Sequence, residues 1–306
     1  MRARHFLSYL LLGLLLVLPA AADGRHDNQA PGWFRYAVGG FLVTALQDGV
    51  IELPSSAYHG IPADAIEALS ARAFNKSANG VPTSVNAYLV DTGAHRILID
   101  GGNADCYGWK LGGLAANLKA SGYSPAEIDI VVLTHLHGDH VCGLAAENKR
   151  LFPNAVVWAA AAEARYWLAP ANPATPAQAR TALALYGTNF RTFNPGDTIA
   201  PGLTIVPAPG HTPGHTAYLV ESKGAAVLVF GDIVHNPYVQ FAHPDVTVVS
   251  DVDPKQAIAT RQALFAKLAA ENTVVAGAHL LFPGIGRIRK DGNGYIFMPV
   301  EFGPRP

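Results

Sequence analysis

The stretch Thr134-His135-Leu136-His137-Gly138-Asp139-His140-Val141-Cys142-Gly143-Leu144 follows directly on the apolar run Ile130-Val131-Val132-Leu133. A short, continuous aliphatic run closed by a polar loop reads as a buried strand. Three histidines and an aspartate then fall within six residues at the strand's end. In an extended segment alternate side chains share a face, so His135 and His137 can meet one cation. If the chain turns helical after Gly138, Asp139 and His140 diverge from that pair and can reach a second cation.

Further metal-ligating residues recur in the same local setting. His211 and His215 lie in Pro209-Gly210-His211-Thr212-Pro213-Gly214-His215-Thr216, behind the strand-like run Leu203-Thr204-Ile205-Val206. Asp232 follows Val227-Leu228-Val229-Phe230 through Gly231, and His279 follows Thr273-Val274-Val275-Ala276 through Gly277-Ala278. Each stands just past a strand, where the active sites of layered α/β folds gather. Between these strands the pattern turns helical. Helices are expected over 111–120, with Gly122 as a stop signal, and over 162–168, 176–186 and 254–271. A hairpin is expected from 85–90 and 96–100, and a capped turn at Ser124-Pro125-Ala126-Glu127. The alternation places the chain in the α/β class, as one domain over 33–306.

Composition removes several classes of function. The chain has 306 residues, half of them hydrophobic, and a formal net charge of -1. Scattered Lys and Arg provide neither the electrostatic footprint of a nucleic-acid binder nor a polybasic membrane patch. A small-molecule substrate is the expected partner, and a homodimer is compatible with the sequence. At the N-terminus, Arg2 and Arg4 precede a leucine-rich run from Leu10 to Leu18 and the small residues Ala20-Ala21-Ala22. This reads as a signal peptide over 1–22 and a polar leader over 23–32, giving a secreted or periplasmic protein. The alternative, a membrane anchor, calls for about 20 apolar residues. The only cysteines, Cys106 and Cys142, are read as small buried thiols, although an oxidising compartment would also let them bridge.

Taken together, HLHGDH, GHTPGH, FGDIVH and GAH, in this order and at these separations, resemble the metallo-β-lactamase-fold hydrolase superfamily. The resemblance covers nearly all of the chain after the leader. A narrower similarity, to the methyl parathion hydrolase-like branch of organophosphate, aryl ester and lactone hydrolases, rests on three segments. These are "LGGLAANLKASGYSPAEID", "GDIVHNPYVQF" and the tail "HLLFPGIGRIRKDGNGYIFMPVEF". The resemblance implies a four-layer αββα sandwich and a binuclear centre, with His135, His137 and His215 on one metal. Asp139, His140 and His279 would hold the other, and Asp232 would bridge. It leaves His211 as a loop residue or as one that supports a ligand from behind. Imidazole and carboxylate donors suit zinc, with manganese, iron or cobalt as alternatives. Asp100 is expected either to orient a ligand histidine or to cap its turn, and His235 either to reach the pocket or to make a structural hydrogen bond. Tyr107 and Trp167 match aromatic positions that contact the substrate in the similar branch, with Phe190 or Tyr186 as a third.

The implied activity is ester hydrolysis by a hydroxide held at the metals, with Asp139 and Asp232 as the catalytic carboxylates. Other members of so broad a superfamily remain competitors. A β-lactamase would generally lack Asp232, whereas a glyoxalase II-like thioester hydrolase would share the ligands but not the tail. A persulfide dioxygenase would use one iron and leave the second ligand group without a role.

Overall fold

The alternation of side chains along the strands determines how the layers stack. In a computed structural model, residues 29–104, 106–107, 111–170, 172 and 175–303 are described. The proposed signal peptide lies outside them, as does most of the polar leader. A compact unit begins at Pro31.

Its first sheet joins β1 (Trp33–Val38), β2 (Phe41–Leu53), β3 (Val81–Asp91), β4 (Arg96–Ile99), β5 (Ile130–Val132), β6 (Val156–Ala160) and β7 (Phe190–Phe193), in that spatial order. The second joins β8 (Leu203–Pro207), β9 (Thr216–Ser222), β10 (Ala225–Val229), β11 (Val274–Ala276), β12 (Ile285–Asp291) and β13 (Gly294–Pro299). Strand residues alternate faces. Tyr88, Val90, Ile97, Ile99 and Val132 therefore point from the first sheet into a shared core with Tyr218, Val220, Val227 and Val229 of the second. Their neighbours Ala87, Leu89, Leu98 and Val131 face the opposite way, onto α2 (Leu114–Ala120) and α5 (Ala177–Tyr186). From the second sheet, Ala217, Leu228 and Val275 face Phe265 and Leu268 of α7 (Pro254–Glu271). Three cores thus separate four layers, the αββα sandwich that the resemblance implied. Each aliphatic side chain fully buried in these cores favours folding by roughly 1.5–3 kcal/mol relative to exposure.

The capped turn forms as expected, a short 3₁₀ turn in which Ser124 and Glu127 complete a reciprocal capping box. Some expected boundaries move: the hairpin strand of 85–90 extends over Val81–Asp91, and the helix of 111–120 starts at Leu114. Gly112 has φ +97°, and the buried Asp48 carboxylate takes the Leu114 N–H at 3.1 Å. A carboxylate from β2 therefore replaces the missing first turn. Unexpected from the sequence were the 13-residue β2, the helix α1 (Ala63–Arg72) and the β12–β13 hairpin.

Candidate metal centre

Four strand ends deliver the chemistry to one point. β5 leads into Thr134, whose N–H and hydroxyl both donate to the Asp100 carboxylate, at 2.8 and 2.9 Å. Extended backbone carries the chain to His137, which caps a four-residue helix, α3 (Gly138–Val141). The helix carries Asp139 and His140 to His279 in a separate donor group, although the His140 ring remains 4.1 Å from that of His135. After β10, Gly231 turns the chain at φ +54°, and a Cβ there would lie 2.7 Å from the His215 ring. Asp232 comes next and points into the centre. His279 follows β11, its Nδ1 held 2.8 Å from the Ser84 carbonyl.

Two donor groups result. His135, His137, His211 and Asp232 form one, and Asp139, His140 and His279 the other; a third set, Asp232, His235 and His279, overlaps both, and within each set the ligand atoms lie within 4.8 Å of one another. His137 Nδ1 stands 2.8 Å from His135 Nε2 and 3.0 Å from His211 Nε2. Asp232 faces both groups, with Oδ2 3.3 Å from His211 Nε2 and Oδ1 3.2 Å from His140 Nε2. Asp232 Oδ1 and His140 Nε2 are buried without a hydrogen-bond partner. Buried polar atoms in proteins are as a rule paired, so two orphaned atoms that converge with imidazole nitrogens fit divalent cations. The partners behind the imidazoles fit as well. His140 Nδ1 lies 2.9 Å from Asp100, and His211 Nδ1 lies 2.7 Å from Asp251. Donating Nδ1–H to a carboxylate leaves Nε2 as the ligating atom. Asp100 therefore does both things considered for it, bracing the turn and orienting His140.

The structure corrects three expectations. His211, not His215, enters the first group. His215 Nδ1 is taken by the Ala208 carbonyl at 3.1 Å, and its Nε2 accepts the Asp232 N–H at 3.1 Å. With both nitrogens on the backbone, His215 holds Asp232 in place rather than joining the donors. Phe190 does not line the cleft. It lies on β7 opposite Val157 and packs against the outer core beneath the first sheet, as does the fully buried Tyr186. Finally, Cys106 and Cys142 form a disulfide. Their separation of 36 residues carries no pairing information, but the bond ties the loop of Tyr107 to the end of α3.

Tyr107, Trp167 and His235 do line a cleft of about 500 Å³ over the centre. The Tyr107 hydroxyl accepts the Gly138 N–H at 2.9 Å, and the Trp167 ring stands edge-on to His137 at 4.9 Å. His235 stacks on His279 and reaches Asp232 Oδ2 at 3.3 Å. The facing wall is aliphatic: Ile51, Leu53, Val248, Val249 and Val252. Sequence reasoning missed this wall and Asp251, because apolar residues in β2 read as core and a lone aspartate before a helix reads as a cap.

The centre's protons are unevenly shared. Burial opposes charge on His211, yet Asp232 and Asp251 outweigh it and lift its pKa to about 9. Burial also lowers His137 to about 3, helped by the His211 charge. A cation must therefore displace a proton from His211 below pH 9. His140 and His279 are raised as well: burial opposes their charge, but Asp232 and Asp139 outweigh it. Cation affinity is therefore expected to rise with pH by at least about tenfold per unit, one such factor for each proton displaced. Chelator competition from pH 6 upward checks this; a flat profile would mean that His211 is neutral in the metal-free chain.

A profile of the metallo-beta-lactamase superfamily matches residues 80–279. Among solved structures, the hydrolase AbOPH of the beta-lactamase superfamily superposes with a TM-score of 0.87 at 37% identity, covering 90% of this chain and 100% of that one. AidC, a dizinc quorum-quenching lactonase, superposes with a TM-score of 0.81, covering 89% of this chain and 99% of its own; at 24% identity it speaks to the fold alone. A probable metallo-hydrolase of Mycobacterium tuberculosis is 30% identical over 135 residues, 40% of this chain and 42% of that protein. The N-acyl homoserine lactonase AttM of Agrobacterium fabrum is 30% identical over 167 residues, 46% of this chain and 61% of that protein. The matched part is thus less than two thirds of either curated relative.

Proposed function

This chain belongs to the metallo-beta-lactamase superfamily, and on that premise we propose that it is an exported binuclear hydrolase, zinc-dependent, that cleaves small neutral esters. Phosphotriesters, aryl esters and lactones are the substrate classes intended. The observation that carries the reading is the convergence of His135, His137, His211, Asp139, His140 and His279 around one carboxylate, Asp232. Export is supported by the N-terminal pattern of the sequence and by the disulfide, which persists in oxidising compartments.

Two divalent cations held by these groups would supply Lewis acidity and activated water at neutral pH. The chain's own residues do the rest. Asp100 and Asp251 fix two imidazoles with Nε2 inward, so no reorientation is needed when a reaction begins. Tyr107 and Trp167 form an aromatic wall and Val248, Val249 and Val252 an aliphatic one, which suits an uncharged substrate of modest size. His235 lines the same cleft, with its Nε2 3.3 Å from Asp232 Oδ2. Tyr107, raised by burial to about 12, and His235, lowered by burial to about 4, both line the cleft but are poorly matched to giving up a proton near neutral pH, so rates should rise as the leaving group becomes a weaker base.

The test is a substrate panel on the zinc-loaded protein: p-nitrophenyl esters, a phosphotriester, dihydrocoumarin, an N-acyl homoserine lactone, a cephalosporin and a glutathione thioester. Turnover is expected on esters and lactones. Trp167→Ala should raise KM for the aryl substrates by roughly 2- to 10-fold more than for the aliphatic lactone, the worth of one aromatic contact. A cephalosporin or thioester cleaved faster than every ester and lactone would overturn the substrate assignment.

A further inference from the structure

Glu163 is buried, with 0% of its surface exposed, and none of the reasoning above uses it. It lies in the first turn of α4 (Ala161–Trp167), and helical side chains lean back toward the N-terminus. Its two carboxylate oxygens go to different loops. Oε2 accepts the N–H of Leu136 at 3.1 Å, and Oε1 accepts the N–H of Gly214 at 2.7 Å. Leu136 stands between His135 and His137, and Gly214 stands between His211 and His215. One carboxylate thus spans the two loops that supply the imidazoles of the first donor group. The approach is close: a Cβ on Gly214 would lie 2.6 Å from the Glu163 nitrogen. Among the described residues no ion pair involves Glu163; its hydrogen-bond donors are these two backbone amides, and the Thr212 side chain, in the same loop as Gly214, is a further polar neighbour. A carboxylate buried without a cation is costly unless its oxygens accept hydrogen bonds, and here the acceptors are spent on holding two loops together. The same helix carries Tyr166 and Trp167 in the cleft wall, with Trp167 against His137.

We propose that Glu163 is a positioning residue. It sets the separation of the His135–His137 pair from His211, and so the fit of the first cation site, and it couples that site to the aromatic wall through α4. The inference rests on the reading of the centre as a binuclear metal site. It does not depend on which substrate is cleaved.

Glu163→Gln tests it. The amide keeps one acceptor but turns an NH₂ group toward the other backbone N–H, so the span is broken with little change in volume. Cation affinity is read with Co²⁺ by chelator competition and absorption, in the wild type, in this variant and in Leu268→Ala. The last is a cavity variant under α7, chosen to lower stability in the opposite outer layer. The expected result is a loss of about 10- to 100-fold at one of the two cation sites in Glu163→Gln, the other being unchanged. Leu268→Ala should leave both affinities alone. Equal affinities in Glu163→Gln and wild type, or the same loss in Leu268→Ala, would overturn the proposal. A wild type that binds fewer than two cations would instead overturn the binuclear reading.

Amide hydrogen exchange on the metal-free wild type needs no variant. One clamp predicts that Leu136 and Gly214 exchange with closely similar protection. If Gly214 exchanges freely while Leu136 is protected, the carboxylate does not hold both loops and the proposal falls.

Discussion

Asp232→Ala is expected to lower kcat/KM on the order of 10²- to 10³-fold and to remove about one cation per chain. Its carboxylate is the one group shared by both donor sets: Oδ2 lies 3.1 Å from His279 Nε2 and 3.3 Å from His211 Nε2, while Oδ1 lies 3.2 Å from His140 Nε2. Burial would favour its protonated form. The surrounding His140, His279 and His135 outweigh that and hold its pKa well below the usual carboxylate range, so it is an anion over the working pH range. Removing it leaves the first group with imidazoles alone, and no anion to offset a buried dication. Elemental analysis together with steady-state kinetics checks the result. A variant that keeps two cations and loses less than tenfold would show that Asp232 bridges nothing.

His211→Ala should be nearly as damaging, on the order of 10²-fold in kcat/KM with a similar loss of metal, because it deletes a donor and leaves the buried Asp251 with only the Val248 N–H. His215→Gln should cost less than about tenfold. A glutamine there can still offer an oxygen to the Asp232 N–H and an N–H to the Ala208 carbonyl, which are the two bonds the imidazole makes. The two variants are to be compared at equal fraction folded, by metal content and turnover. If His215→Gln strips a cation and His211→Ala does not, the second histidine of the loop is the ligand after all.

Much of this centre was legible before any tertiary structure. The run Ile130-Val131-Val132 forms a strand because aliphatic β-branched residues fit a sheet buried on both faces, and the polar residues after it have nowhere to go but the strand's mouth. The same reasoning located Asp232 and His279, since each follows an apolar strand of the second sheet. The helix Pro254–Glu271 was read to the residue, having Pro254 in its first turn after the Asp253 cap and Asn272 in the left-handed conformation at its end. These are local signals, in which neighbouring residues carry the instruction. The aliphatic cleft wall escaped because Val248 and Val249 look in sequence like any buried pair, although Val249 is 71% exposed.

The sequence by itself therefore determined the layered α/β class, the strand ends that carry donors and most of the donor residues. Tertiary structure alone decided which histidine of Gly210-His211-Thr212-Pro213-Gly214-His215 faces the centre. An imidazole is oriented by whichever buried group takes its second nitrogen. For His211 that group is Asp251, 40 residues away, and for His215 it is two backbone atoms supplied by other strand ends. The disulfide and the Glu163 span have the same character: each joins segments 27 to 51 residues apart. No periodicity or motif encodes such a pairing, because it exists only once the two sheets have packed and brought their strand ends together.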